Sequence, residues 1–229
     1  MPGFHTRRQV LVPAGCAERD CVPTNFSSDW VDAWRDLQLP VPAPEVLASL
    51  LARWAEPQRK YHTLQHLREC LDLFARDRVL AERPGEVVLT LWFHDAVYDT
   101  SRHDNEAASA QWARRVLMDA GAGAAAADRV HALIMATCHS EVPRTPDARL
   151  LVDVDLAILG AEPARFAEYE RQIRDEYGFV PEAVFRDKRA AILRGFLERP
   201  ALFATARYVD RFDQPARANL ARAIGGLAR

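Results

Sequence analysis

Apolar residues recur at helical spacing along almost the whole chain. Trp30, Val31, Trp34 and Leu37 mark a first helix, with Ser28 or Asp29 as its start signal. Pro40, Pro42 and Pro44 break the chain before a second helix from Glu45 to Trp54. A third begins at about Thr63, a residue type suited to the N-cap, and runs through Leu64, Leu67, Leu71 and Phe74. After the Pro84-Gly85 turn, a fourth helix over about 86–98 is apolar nearly all round. That pattern predicts a central helix of a bundle. Further helices are expected at about 104–119, 125–138, 148–159, 163–176, 182–198 and 214–227, separated by glycines and prolines. No stretch alternates with period two. The expected class is all-α. Residues 1–25 carry proline, glycine and scattered charge without periodicity and read as a flexible arm, leaving 26–229 as one domain.

A chain of 229 residues is long enough to bury a full core. Its formal charge of -2 gives no electrostatic case for a nucleic-acid polymer or an acidic membrane. No apolar run approaches the roughly 20 residues that span a bilayer. The N-terminal apolar stretch is too short and broken for a signal peptide. Cys70 and Cys138 fall in apolar helical segments and are expected as reduced thiols, while Cys16 and Cys21 lack a second pair to complete a zinc knuckle. Together these features lead to an expected cytoplasmic location.

Against this apolar background, four clusters of histidine and aspartate stand out. They are Tyr61-His62-Thr63-Leu64-Gln65-His66, Trp92-Phe93-His94-Asp95, Thr137-Cys138-His139 and Val152-Asp153-Val154-Asp155-Leu156. Burying ionisable groups costs several kcal/mol unless something compensates. A single shared compensator, a bound metal, would account for all four. His62 and His66 are four apart and share a face if both are helical, though His62 precedes the N-cap. His94 and Asp95 follow a run of large apolar residues, a setting in which an aspartate is paired or functional. Asp155 has Leu151, Val152, Ile158 and Leu159 at its helical offsets and therefore faces the interior. Asp153 has the more mixed neighbours Arg149, Leu150, Leu156 and Ala157, so it is expected to support a ligand or to face solvent. His139 ends a helix, where the macrodipole alone would favour a charged imidazole. His103 follows the His-Asp pair in a loop and is within reach of a substrate, whereas His131 reads as an ordinary helix residue.

The segments RKYHTLQHL, FHDAVYDTSRHDNEAASA, ATCHS, DVDLAILGA, IRDEYGFVPEAVF and ARANLARAI together resemble the HD-domain superfamily of metal-dependent phosphohydrolases. Within it, the resemblance is to a bacterial family of uncharacterised predicted phosphohydrolases of this length. It extends from about Trp30 to the C-terminus. The tyrosine and histidine pair followed by His-Asp also resembles the cyclic-nucleotide phosphodiesterases, in motifs alone. The resemblance implies an HD-type helical bundle, with a metal held by His66, His94, Asp95 and Asp155. It implies that His62 protonates the leaving oxygen and that His139 binds a second metal or a substrate phosphate. Two departures are visible: His139 is followed by Ser140 where the family commonly pairs histidines, and Thr63 stands where an asparagine is usual.

The implied reaction is attack of metal-activated water on the phosphorus of a small phosphoester, plausibly a nucleotide, with Asp95 and His62 as catalytic groups. Two histidines and two aspartates suit Mn, Fe, Co, Ni or Zn, with Mg admissible. Asn105, Glu106 and Asp153 are expected to orient water or a ligand from behind. Arg59, Lys60, Arg102, Lys188 and Arg189 are candidate phosphate partners. The competing reading is a regulatory protein that binds a nucleotide or a metal without turnover. Association into homo-oligomers is compatible with either.

Overall fold

The structure, a computed structural model, describes residues 25–139 and 141–228. The expected arm therefore lies outside the described residues except for Asn25, and so do Cys16, Cys21 and Ser140. The fold is all-α, with no strand among the described residues. In chain order the helices are α1 (Phe26–Asp36), α2 (Pro44–Trp54), α3 (Leu64–Asp77), α4 (Pro84–Phe93), α5 (Asn105–Asp119) and α6 (Ala124–Ala136). They continue with α7 (Pro146–Leu156), α8 (Pro163–Glu176), α9 (Glu182–Leu197), the single turn α10 (Ala206–Tyr208) and α11 (Gln214–Leu227).

Most starts carry either a capping side chain or a first-turn proline. Thr63 Oγ1 accepts from the backbone N–H of Gln65 at 3.3 Å and opens α3. Asn25 Oδ1 accepts from Ser27 N–H at 3.0 Å, so α1 begins before the expected Ser28 or Asp29. Prolines occupy the first turns of α2, α4, α7, α8 and α11, where their missing N–H costs nothing.

Every residue of α4 from Gly85 to Phe93 is buried. This helix packs against α1, α3, α5, α6 and α7, which makes it the centre of the bundle. Trp30 of α1 meets Trp34 and Trp92 edge to face, at centroid distances of 5.4 and 5.3 Å. The same apolar cluster continues without a break to Phe212 and Leu220 near the C-terminus.

Two departures from the expected elements matter for the site. First, α4 stops at Phe93, five residues before the expected end, so His94 and Asp95 sit in the turn that leaves it. The side chain of Arg59 takes the carbonyls of Asp95 and Ala96, at 2.6 and 3.1 Å, and Ser109 Oγ takes the N–H of Val97 at 3.0 Å. Those backbone groups are thereby lost to the helical ladder. Second, the chain before α11 is already helical, through α10 and a π-turn over Val209–Asp213. Pro215 cannot donate to the carbonyl four residues earlier, and the ladder widens just there. Gly160 lies against this turn: a Cβ there would come within 2.7 Å of the Phe212 carbonyl oxygen. No helix among the described residues is long and apolar enough to cross a membrane.

Candidate metal centre

Five elements converge at one end of α4. Helix α3 supplies His66, the turn after α4 supplies His94 and Asp95, α7 supplies Asp155, the turn after α6 supplies His139, and the loop before α3 supplies His62. His66, His94 and Asp155 each offer a ligand atom, and these atoms lie within 4.8 Å of one another. His66 Nε2 is 3.2 Å from His94 Nε2 and 3.2 Å from Asp155 Oδ1. Asp95 Oδ2 is 3.2 Å from His94 Nε2 and 3.7 Å from His66 Nε2. Asp155 Oδ2 is 3.0 Å from His139 Nε2. One group of residues could therefore hold a metal ion, with Asp95 and His139 at its edge.

The donor set fits a cation on its own geometry. His94 Nδ1 lies 2.9 Å from the Leu91 carbonyl, a contact that requires the proton on Nδ1. In the neutral ring, the lone pair of His94 Nε2 then faces a second imidazole nitrogen and two carboxylates. Such convergence of acceptors is unfavourable unless a positive charge sits among them. The same field acts on protons. Burial alone would lower the His94 pKa, but Asp95 and Asp155 outweigh it and hold it well above the usual value. Burial pushes Asp155 up, and hydrogen bonds from His139, His66 and His94 reverse this and hold it well below the usual carboxylate range. His66 and His94 are 2% and 1% exposed. Trp54 and Tyr61 stand beside them at ring distances of 5.5 Å from His94 and 4.8 Å from His66, which keeps water from competing. Behind His66, the Cys70 sulfur lies 3.7 Å from Nδ1.

His62 faces this cluster from the loop. Its Nδ1 pairs with Glu176 Oε2 at 2.8 Å, and Tyr98 stacks on the ring at 4.1 Å while donating its hydroxyl to the same oxygen at 2.9 Å. The other oxygen, Glu176 Oε1, accepts the backbone N–H groups of Lys60, Tyr61 and His62 at 2.8, 2.8 and 3.0 Å. Burial opposes the charge of His62, but its hydrogen bond to Glu176 and the nearby charges of Asp95, Glu176 and Asp155 together outweigh that and raise its pKa. The Glu176 carboxyl, which burial would raise, is brought down to about 2 by the His62 side chain. Sequence reasoning missed Glu176. Its signal was an acid in the last turn of a helix, against the macrodipole, where only a specific partner makes it favourable.

Several expected residues are elsewhere. Asp153 is fully buried but faces away from the metal ligands: its two oxygens accept the N–H groups of Ala204 and Thr205, each at 2.7 Å. It is neither a support for a ligand nor solvated. Arg59 is 3% exposed and spends four of its five guanidinium N–H groups on the carbonyls of His62, Asp95 and Ala96 and on Glu56, so it is buried and committed rather than free for a phosphate. It instead ties the His62 loop to the His94-Asp95 turn. Arg189 is buried against Glu170 and Tyr169. Lys60 is exposed and folds onto the Pro57 carbonyl, Arg102 pairs with Asp104 on the surface, and Lys188 is exposed on α9. Asn105 closes the preceding loop through both backbone groups of Asp99, and Glu106 lies near Cys138. His103 is exposed. His139 adopts a left-handed backbone, φ 53°, while its carbonyl accepts from Arg199 at 3.1 Å.

No protein-family model, curated protein or solved structure matches the chain.

Proposed function

We propose that the protein is a metal-dependent phosphohydrolase of the HD type, acting on a small phosphoester such as a nucleotide. The observation that carries this reading is the convergence of His66, His94 and Asp155, with Asp95 beside them, around one point next to an imidazole held by a buried carboxylate. His66, His94, Asp95 and Asp155 would hold a divalent ion, of which Mn, Fe, Co, Ni and Zn suit nitrogen and oxygen donors best and Mg is admissible. Such an ion, when bound, supplies Lewis acidity toward a phosphoryl oxygen and acidifies water.

The remaining chemistry belongs to side chains. Attack on phosphorus leaves an alkoxide that needs a proton. Glu176 fixes the His62 ring through Nδ1 and raises its basicity, which favours the imidazolium, whose second proton is on Nε2. Tyr98 keeps the ring plane fixed by stacking. Trp54 and Tyr61 lower the local dielectric, which strengthens each charge interaction. His139 stands against Asp155 and is placed for a phosphate oxygen or a second ion.

The test is elemental analysis of protein purified without added metal, followed by a phosphoester screen with the metal found. Turnover that disappears on chelation and in Asp95→Ala supports the proposal. Unchanged metal content and unchanged turnover in that variant overturn it.

A further inference from the structure

A cavity of about 580 Å³ adjoins the metal centre, with His66 and Asp155 forming part of its wall. Its size lies within the range of small-ligand sites. Three independent features of the lining call for an anion. Arg211, on the π-turn, and Arg222, on α11, both line it, and neither forms an ion pair with a carboxylate among the described residues. Arg222 only donates to Asn219 Oδ1 at 3.1 Å, and Arg211 only lies over the Phe212 ring at 4.6 Å. The start of α8 opens on the same cavity, and its N-cap, Glu162, makes no capping hydrogen bond, so the first-turn N–H groups keep their partial positive charge. Finally, Tyr61 lines the cavity and is 4% exposed, yet its buried hydroxyl has no hydrogen-bond partner. A buried donor without a partner costs about 1–3 kcal/mol, which a ligand oxygen would recover once a shift of the side chain opens the hydroxyl to the cavity.

Besides Asp155, two further carboxylates line the space. Glu69 is neutralised by a two-point pair with Arg165, at 2.7 and 2.9 Å, and Glu162 is exposed at the rim. The cavity thus has a metal-facing wall, two arginines without a carboxylate partner among the described residues, and one unsatisfied donor buried beside it.

We infer that this cavity is the subsite for a second phosphate, and that the substrate is a small molecule carrying two phosphate groups. The inference rests on the phosphohydrolase reading: one phosphate reaches the metal centre while the other lies between Arg211, Arg222 and the α8 N-terminus, with Tyr61 donating to it. Arginine suits this role because its planar fork matches a phosphate.

The experiment is calorimetric titration of the full-length protein with adenosine 3′,5′-bisphosphate and with adenosine 5′-monophosphate, before and after chelation. The bisphosphate is expected to bind at least about tenfold more tightly, with the difference persisting after chelation. The R211Q/R222Q variant, altered only at exposed positions, is expected to abolish that difference, and Tyr61→Phe to narrow it. Equal affinities in the wild-type protein, or a difference that survives R211Q/R222Q, overturn the inference. Failure of the phosphohydrolase reading is separately visible. In that case no phosphoester is turned over with any metal, while the arginine-dependent preference for the bisphosphate remains.

Discussion

Asp153 and Asp155 stand two residues apart on α7, and both are largely shielded from water, yet they belong to different regions of the molecule. Asp153 lies in the core beneath the 202–205 segment, and every oxygen has a backbone N–H to accept. Asp147, at the start of the same helix, does likewise for Glu82 and Arg83, at 2.7 and 3.1 Å. Asp155 meets three histidines and no backbone donor. In the first region, fixed dipoles of the chain satisfy each charge. In the second, imidazole nitrogens and carboxylates face one another, and a proton or a metal ion can complete the set. Burial therefore does not distinguish a functional aspartate from a structural one; the nature of its partners does.

The sharpest way to break this comparison is to remove one side chain from each region. His66→Ala or Asp155→Ala should abolish metal retention and turnover, read by elemental analysis and a phosphoesterase assay. Asp153→Ala should retain the metal in full. If Asp153→Ala loses metal as completely as Asp155→Ala, the two regions are not separate. Next in size is His62→Ala. It should lower turnover by about 10²–10⁴ with metal content intact, as loss of a general acid does. Glu176→Gln should cost about 10–100-fold through the misplaced ring.

Stability should respond in the opposite order. Asp153→Ala leaves two buried N–H groups unpaired and should cost about 2–4 kcal/mol in denaturant unfolding. Chelation should lower the melting temperature by roughly 5–10 °C, since an ion at 100 times its Kd adds about 2.7 kcal/mol. A chelated protein as heat-stable as the loaded one would remove the cation from the second region.

The smallest effect concerns pH in the chelated protein. His62 has its folded pKa raised above 6.5, so its contribution is complete below 6.5 and fades as pH rises through the folded value. Glu176 has its folded pKa lowered from 4.5 to about 2, so its contribution is complete above 4.5 and fades as pH falls toward 2. The pair should therefore stabilise most between pH 4.5 and 6.5. The stability difference between wild type and Glu176→Gln, followed across pH, should peak in that window; a flat difference would contradict the pairing.

Helix positions were legible in the chain because burial of one face imposes a period of 3.6 on apolar residues. Asp155 rather than Asp153 joins the ligand cluster, as the sequence suggested, but not because it alone faces inward: Asp153 is fully buried and Asp155 partly exposed. The capping role of Thr63 was local and readable. The early end of α4 was not readable, because it depends on Arg59, more than thirty residues away, taking the Asp95 and Ala96 carbonyls. Arg59 itself looked like a phosphate partner, since a sequence records a charge and not the groups that consume it.

By itself, then, the sequence determined the all-α class, the approximate helices and the set of residue types from which a metal centre can be made. These follow from periodicity and composition, which are local properties. Only the tertiary structure decided which acids are spent on backbone N–H groups, that Glu176 orients His62 from 114 residues away, and that a cavity bearing Arg211 and Arg222 adjoins His66 and Asp155. Each of these depends on distances between segments remote in the chain, and local pattern carries no information about such distances.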